Sequence, residues 1–196
     1  MLICAVPRRA ERAPSGQSAC VRQLLFDPIS SDRQQFDRVD WSLLRDSPVH
    51  QVDSVELLDL TLAELRRLGY LVVEFDADGL APEALHDAFA SAFEFPEWYG
   101  GNLDALNDML RDVALFERGA DPSATGTVLA IRGFGPFSEE HREVAQAILD
   151  LWALQARTGL VVGHPMILLV AVPDSSWFAP VGASPVLHFR RRPAVE

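Results

Sequence analysis

Asp104, Asp108 and Asp112 recur every four residues, a spacing that stacks side chains on one face of a helix. Carboxylates so placed can pass protons as an acid–base pair, form an ordinary solvated face, or present negative charge to a cationic cleft. Like charges at this spacing cost an isolated helix roughly 0.2–0.5 kcal/mol per pair. Asp104 has a simple excuse, since a carboxylate in a first turn complements the helix dipole. Asp108 and Asp112 do not share it, although Arg111 between them is expected to neutralise them in part. Spacing alone leaves the solvated face and the binding face both open.

The other chemistry-bearing residues point to no reaction. His141 stands among Glu139, Glu140 and Glu143, a grouping that invites a metal or proton-transfer reading. It is better read as part of a helix first turn, where glutamates favour the dipole. His50, His86, His164 and His188 are scattered without ligand spacing. Ser176-Trp177 and the remaining serines lack the turn pattern of an activated nucleophile. Gly133-Phe134-Gly135-Pro136 is glycine-rich, but its proline and the want of a following lysine argue against a phosphate loop. The expectation is a protein without catalytic residues, metal or cofactor.

The acidic helix follows an aromatic loop, Phe95-Pro96-Glu97-Trp98-Tyr99-Gly100-Gly101. Gly100 and Gly101 let the backbone turn, and Asn102 is a good N-cap. Leu103, Leu106, Leu110 and Val113 step by three and four and form the stripe that should be buried.

Around this unit, alternating strand and helix signals define the scaffold. Thr61 with Glu64 reads as a capping box, and Gly69 suits a helix C-terminus. Tyr70–Phe75 is a β-prone run closed by Asp76-Ala77-Asp78-Gly79. Pro82 opens a helix with Leu85, Ala88, Phe89, Ala92 and Phe93 on one face. Val128–Ile131 forms a second strand, and Ser138 is expected to cap a long helix ended by Gly159, with Val144, Ile148, Leu151, Trp152 and Gln155 along one stripe. Met166–Val172 is wholly apolar, as a central parallel strand should be. This order implies an α/β domain with a three-stranded parallel sheet and helical crossovers.

N-terminal to it, Pro7–Ser18 reads as a flexible segment, Val21–Phe26 as a possible strand, and Asp40–Leu44 as a capped helical turn stopped at Ser47-Pro48. The division expected is an N-terminal extension over 1–60, partly flexible and packed on the main domain, a domain over 61–174, and a tail over 175–196. The tail holds one more possible strand, Val186–Phe189, and a basic end, Arg190-Arg191-Arg192, read as solvated.

A chain of 196 residues can bury a self-sufficient core, and its 48% hydrophobic and 23% charged contents are ordinary for a soluble protein. The net charge of −11 excludes a general nucleic-acid binder, which needs a basic footprint, and biases the chain toward cationic partners. All of its basic residues are arginine, which reflects coding bias rather than chemistry. Cys4 and Cys20 make neither a disulfide framework nor a metal site. Met1–Val6 is too short an apolar run for a secretory signal, and no stretch approaches the ~20 apolar residues of a membrane span. A cytoplasmic protein is the expectation.

The run Pro96-Glu97-Trp98-Tyr99-Gly100, then Asn102-Leu103-Asp104-Ala105-Leu106, Asp108 and Leu110 closely resembles the signature of the barstar family of ribonuclease inhibitors. The order of elements from about Tyr70 to Val172 is similar too. The resemblance implies a three-layer barstar-like domain whose loop and following helix plug the active site of a basic ribonuclease, barnase-like or a diverged toxin nuclease. Acidic side chains then take the places of substrate phosphates. Asp108 stands at the family's dominant acidic contact, Asp104 at its acidic partner one turn earlier, and Trp98 at an interfacial tyrosine. Gly100 and Asn102 match loop-shaping positions, and Tyr99, Asn107 and Asp112 complete the expected partner-binding set.

Three departures stand out. Asn107 replaces a tryptophan, Gly101 replaces a glutamate, and Leu154, counted back from Gly159, falls where the long helix is acidic in the family. These point to a diverged nuclease of immunity or toxin–antitoxin type, with no direct nucleic-acid or membrane contact. The rival reading is a non-catalytic acidic module that binds a non-nuclease partner or a second copy of itself.

Overall fold

The computed structural model describes residues 36–172, 178–181 and 184–189. The expectations for the cysteines, Pro7–Ser18, Val21–Phe26, Ser176-Trp177 and Arg190–Arg192 lie outside the described residues. The elements in chain order are α1 (Val39–Leu44), β1 (Val49–Val52), α2 (Val55–Arg67), β2 (Leu71–Asp76), α3 (Pro82–Ala92), α4 (Leu103–Ala114), β3 (Thr127–Arg132), α5 (Phe134–Glu140), α6 (Arg142–Val161), β4 (Met166–Ala171) and β5 (Leu187–His188). None of these helices is long and apolar enough to cross a membrane.

The sheet is parallel throughout, but it has five strands rather than three, in the order β2-β3-β4-β1-β5. β4 is central because both of its faces are covered, which its unbroken apolar run anticipates. β1 escapes a pattern search because it is only four residues long and includes His50 and Gln51, yet all four are buried beside β4. β5 then borders β1 through His50↔Leu187 and Gln51↔His188.

Alternation along the strands divides the core into two layers. Leu129, Ile131, Leu168 and Val170 face α3, α4, α5 and α6, with Phe89, Phe93, Phe134 and Trp152 filling that side. Val128, Ala130, Ile167 and Leu169 face α1 and α2, where Leu43, Leu58, Leu62 and Leu65 are fully buried. The result is the three-layer α/β domain expected.

Several local expectations need correction. The second helix starts at Ser54, whose hydroxyl accepts from Leu57 N at 3.2 Å. Thr61 therefore lies inside the helix, and its hydroxyl donates back to Leu57 O. Asp40 is not a cap either. It is fully buried, takes the Arg38 guanidinium at 2.6 Å and accepts from the Tyr70 hydroxyl at 3.0 Å. The long helix is preceded by a separate α5, entered at Gly133, and Ser138 sits inside α5 with its hydroxyl on Gly135 O. His141 marks the break between α5 and α6 and packs on Phe137. At its other end α6 continues past Gly159 to Val161, and Gly163 supplies the left-handed residue, φ 74°.

His164 ties three elements together. Its Nδ1 lies 3.1 Å from Ala114 O at the end of α4 and its Nε2 2.8 Å from the Thr127 hydroxyl at the start of β3. The Phe116 ring stacks on it, with centroids 4.0 Å apart.

His50 has a less complete set of partners. Its Nε2–H points at Leu43 O and Ser47 O, 2.6 and 2.9 Å away, while Nδ1 has no partner among the described residues. Burial holds the ring below its ordinary pKa of 6.5 against the opposing pull of those two carbonyls and Asp46. Between that lowered value and 6.5 the unfolded chain binds a proton that the native state does not, so this contribution to stability is lost as pH falls. The expected outcome is that the urea midpoint of His50→Gln loses less than that of the unaltered chain between about pH 7.5 and 5.5. Carboxylate effects are common to both proteins, so parallel pH profiles would refute the assignment.

The acidic helix and its aromatic loop

The loop before α4 is built from the inside outward. Phe95 packs between Phe93 and Tyr99, with ring centroids 5.8 and 5.1 Å away. The Tyr99 hydroxyl donates to His86 Nδ1 at 2.7 Å, which pins the loop to α3. Burial accounts for both partners' protonation states. It lowers the His86 pKa, against Asp87 and Glu83, and it raises Tyr99, with Asp87 adding to the effect, to about 12. A neutral imidazole accepting from a neutral phenol is the pairing these shifts favour.

Tyr99 is therefore a half-buried anchor, and Trp98 is the aromatic that faces solvent, 68% exposed. Gly101 carries φ 59° with open space around it, so the turn needs its left-handed backbone rather than its small size. Asn102 caps α4 as its type foretells, Oδ1 accepting from Ala105 N at 2.9 Å while Nδ2 donates to Gly100 O at 3.3 Å.

One face of α4, formed by Leu106, Met109, Leu110, Val113 and Ala114, is buried, and Leu103 is half-buried beside it. Asp104 and Asp108 project from the opposite face into solvent. Among the described residues neither carboxylate has a hydrogen bond or ion pair. Asp112 differs, because it is half-buried and lies 3.8 Å from Arg118 Nε. Arg118 in turn lies over the Trp98 ring, its guanidinium carbon 5.9 Å from the centroid.

Asn107 points along the seam with α6, where its Oδ1 accepts from Gln155 Nε2 at 2.8 Å. Trp98, Gly100, Asn102, Asp104 and Asp108 are thus exposed, whereas Tyr99 and Asn107 are turned partly inward. Gly163 rather than Gly159 supplies the left-handed residue after α6, and Leu154 is exposed on that helix.

Sequence reasoning missed His86 and Arg118. His86 had a signal, since it shares the helical face of Phe89 and Phe93. Arg118 had none, because it lies beyond α4 and reaches the loop only through the fold. An open cleft of about 480 Å³ between the starts of α3 and α4 is lined by Glu83, His86 and Asp104 among others. Its histidine is already engaged by Tyr99. Among the described residues no three His, Cys, Asp or Glu side chains converge as a metal site requires.

A family model described as Barstar (barnase inhibitor) matches residues 70–170, just over half of the chain. The chain belongs to the barstar family. The match opens at β2 and closes in β4, so the family core comprises three strands of the sheet with α3 to α6. α1, β1, α2 and β5 lie outside it: β1 and β5 extend the sheet beyond β4, and α1 and α2 pack on one of its faces. No curated protein matched the chain.

The acidic face depends on the apolar face behind it. Truncating Leu106, which is fully buried, is expected to lower unfolding free energy by about 2–5 kcal/mol. Urea denaturation of Leu106→Ala measures this, and a loss under about 1 kcal/mol would show that α4 is held by other contacts.

Proposed function

We propose that this chain is a proteinaceous inhibitor of a basic ribonuclease, of the immunity or antitoxin type, acting in the cytoplasm of the cell that must be protected. It works stoichiometrically, without catalysis, metal or cofactor, by seating α4 and the Trp98 loop in the nuclease active site. The observation that carries this reading is the state of Asp108. It is exposed on a rigid, capped helix and unpaired among the described residues, in a chain of the barstar family.

The physics favours that use. A ribonuclease cleft gathers cationic groups to stabilise charge on a transferring phosphate. Carboxylates placed beforehand make charge-assisted hydrogen bonds with those groups and lose little freedom in doing so. Asp104 and Asp108 supply the negative pair, and Trp98 supplies apolar area that excludes water around it. The net charge of −11 speeds encounter with a basic partner at low salt. Because Asn107 and the α6 seam offer amide and apolar groups rather than further carboxylates, the target best suited is a nuclease with a compact cationic pocket beside a less charged rim.

Inhibition of a barnase-type ribonuclease, followed with a fluorogenic RNA at fixed ionic strength, tests the reading. Asp108→Ala should weaken the complex by about 2–5 kcal/mol, roughly 30-fold or more in Kd, mainly through faster dissociation. Trp98→Ala should weaken it as well, while circular dichroism and urea midpoints stay close to those of the parent. Unchanged inhibition by both variants would move the contact surface away from α4.

A further inference from the structure

The turn that follows α4 is tightly held. Phe116 and Gly119 both adopt left-handed backbone, φ 60° and 65°. The Phe116 ring is fixed on His164, and the amides of Glu117 and Arg118 both donate to Asp112 O, at 2.9 and 3.4 Å. Gly119 lies so close to α3 that an added Cβ would come within 3.0 Å of Phe93 O and 3.2 Å of Val113. These contacts determine where Arg118 leaves the backbone. From there its side chain reaches back along α4 to Trp98, and on the way its Nε passes 3.8 Å from the Asp112 carboxylate.

Trp98 needs such a neighbour. It sits on a loop followed by two glycines, is 68% exposed, and among the described residues packs against no other ring. A tryptophan free to sample several rotamers has to be immobilised when a partner binds, and that ordering weakens the complex. A guanidinium over an exposed indole face restricts the ring beforehand and is worth about two- to fivefold in an equilibrium constant.

We propose that Arg118 is a positioning residue that clamps Trp98 across the two ends of α4, so that the indole is already oriented when the partner arrives. The proposal rests on the reading of α4 as the binding surface and deepens it. The clamp also divides the charge on that surface. Asp112 is shared with Arg118, which leaves Asp104 and Asp108 as the negative centre and makes Trp98 with Arg118 a flank of opposite character. The partner that fits presents a cationic pocket with an apolar slot at its side, and not a uniformly basic cleft.

The clamp is tested first in the free protein. In ¹H–¹⁵N spectra the indole N–H signal of Trp98, assigned by its loss in Trp98→Ala, should shift in Arg118→Ala while those of Trp41 and Trp152 stay in place. Arg118→Lys should fall between the parent and Arg118→Ala, because an ammonium keeps the cation–π attraction but loses the planar stacking of the guanidinium. Against a barnase-type ribonuclease, Arg118→Ala should then raise the inhibition constant about two- to fivefold, and this effect should vanish in a Trp98→Ala background. An unmoved indole signal overturns the clamp whether or not the nuclease is inhibited. Additive losses in the double variant also overturn it, since Arg118 would then be acting on the partner directly. A moved signal together with unimpaired inhibition by both Asp108→Ala and Trp98→Ala overturns the binding-surface reading instead.

Discussion

Burial of one side of α4 is the constraint on which the rest of the molecule depends. Leu106, Met109, Leu110, Val113 and Ala114 enter the core, and the Asn107–Gln155 bond ties the helix to α6 at its edge. His164 closes the far end by joining the last turn of α4 to β3. A helix held on one face and at both ends cannot rotate, so Asp104 and Asp108 stay exposed and meet no partner among the described residues. Unpaired carboxylates on a rigid element are costly as isolated local structure and useful as a preformed contact.

The loop and helix form one rigid unit because each tip is anchored by a different device. At the start, Asn102 satisfies a free amide and Tyr99 reaches His86 on α3. At the end, the turn around Phe116 and Gly119 packs on His164 and Phe93, which brings Arg118 back over the loop. Within the acidic run the roles separate. Among the described residues Asp112 has a cation beside it, whereas Asp104 and Asp108 do not, and four-residue spacing alone cannot reveal that difference.

Elements outside the family match are part of the architecture. β1 covers the edge of β4 that would otherwise be open, and β5 borders β1 in turn. An exposed parallel edge invites pairing with other chains. Asp40, itself buried, pairs with the half-buried Arg38 and accepts from Tyr70, which ties this N-terminal layer to the residue that opens the family match.

What the amino-acid order determined by itself was whatever depends on neighbours a few residues apart. Asn102 had to cap, Pro82 had to open a helix, Met166–Ala171 had to lie at the centre of a sheet, and the leucine stripe of α4 had to turn inward. The family signature lay in the same short run, from Phe95 to Leu110. Tertiary structure decided what depends on residues far apart in the chain. Four-residue β1 became a strand only because β4 and β5 bracket it, and Thr61 passed from cap to helix interior because Ser54 won the N-terminus. Tyr99 turned from an exposed aromatic into an anchor because α3 placed His86 beneath it, and Arg118 met Trp98 across a whole helix. Such partners leave no periodicity along the chain, since packing and not spacing brings them together.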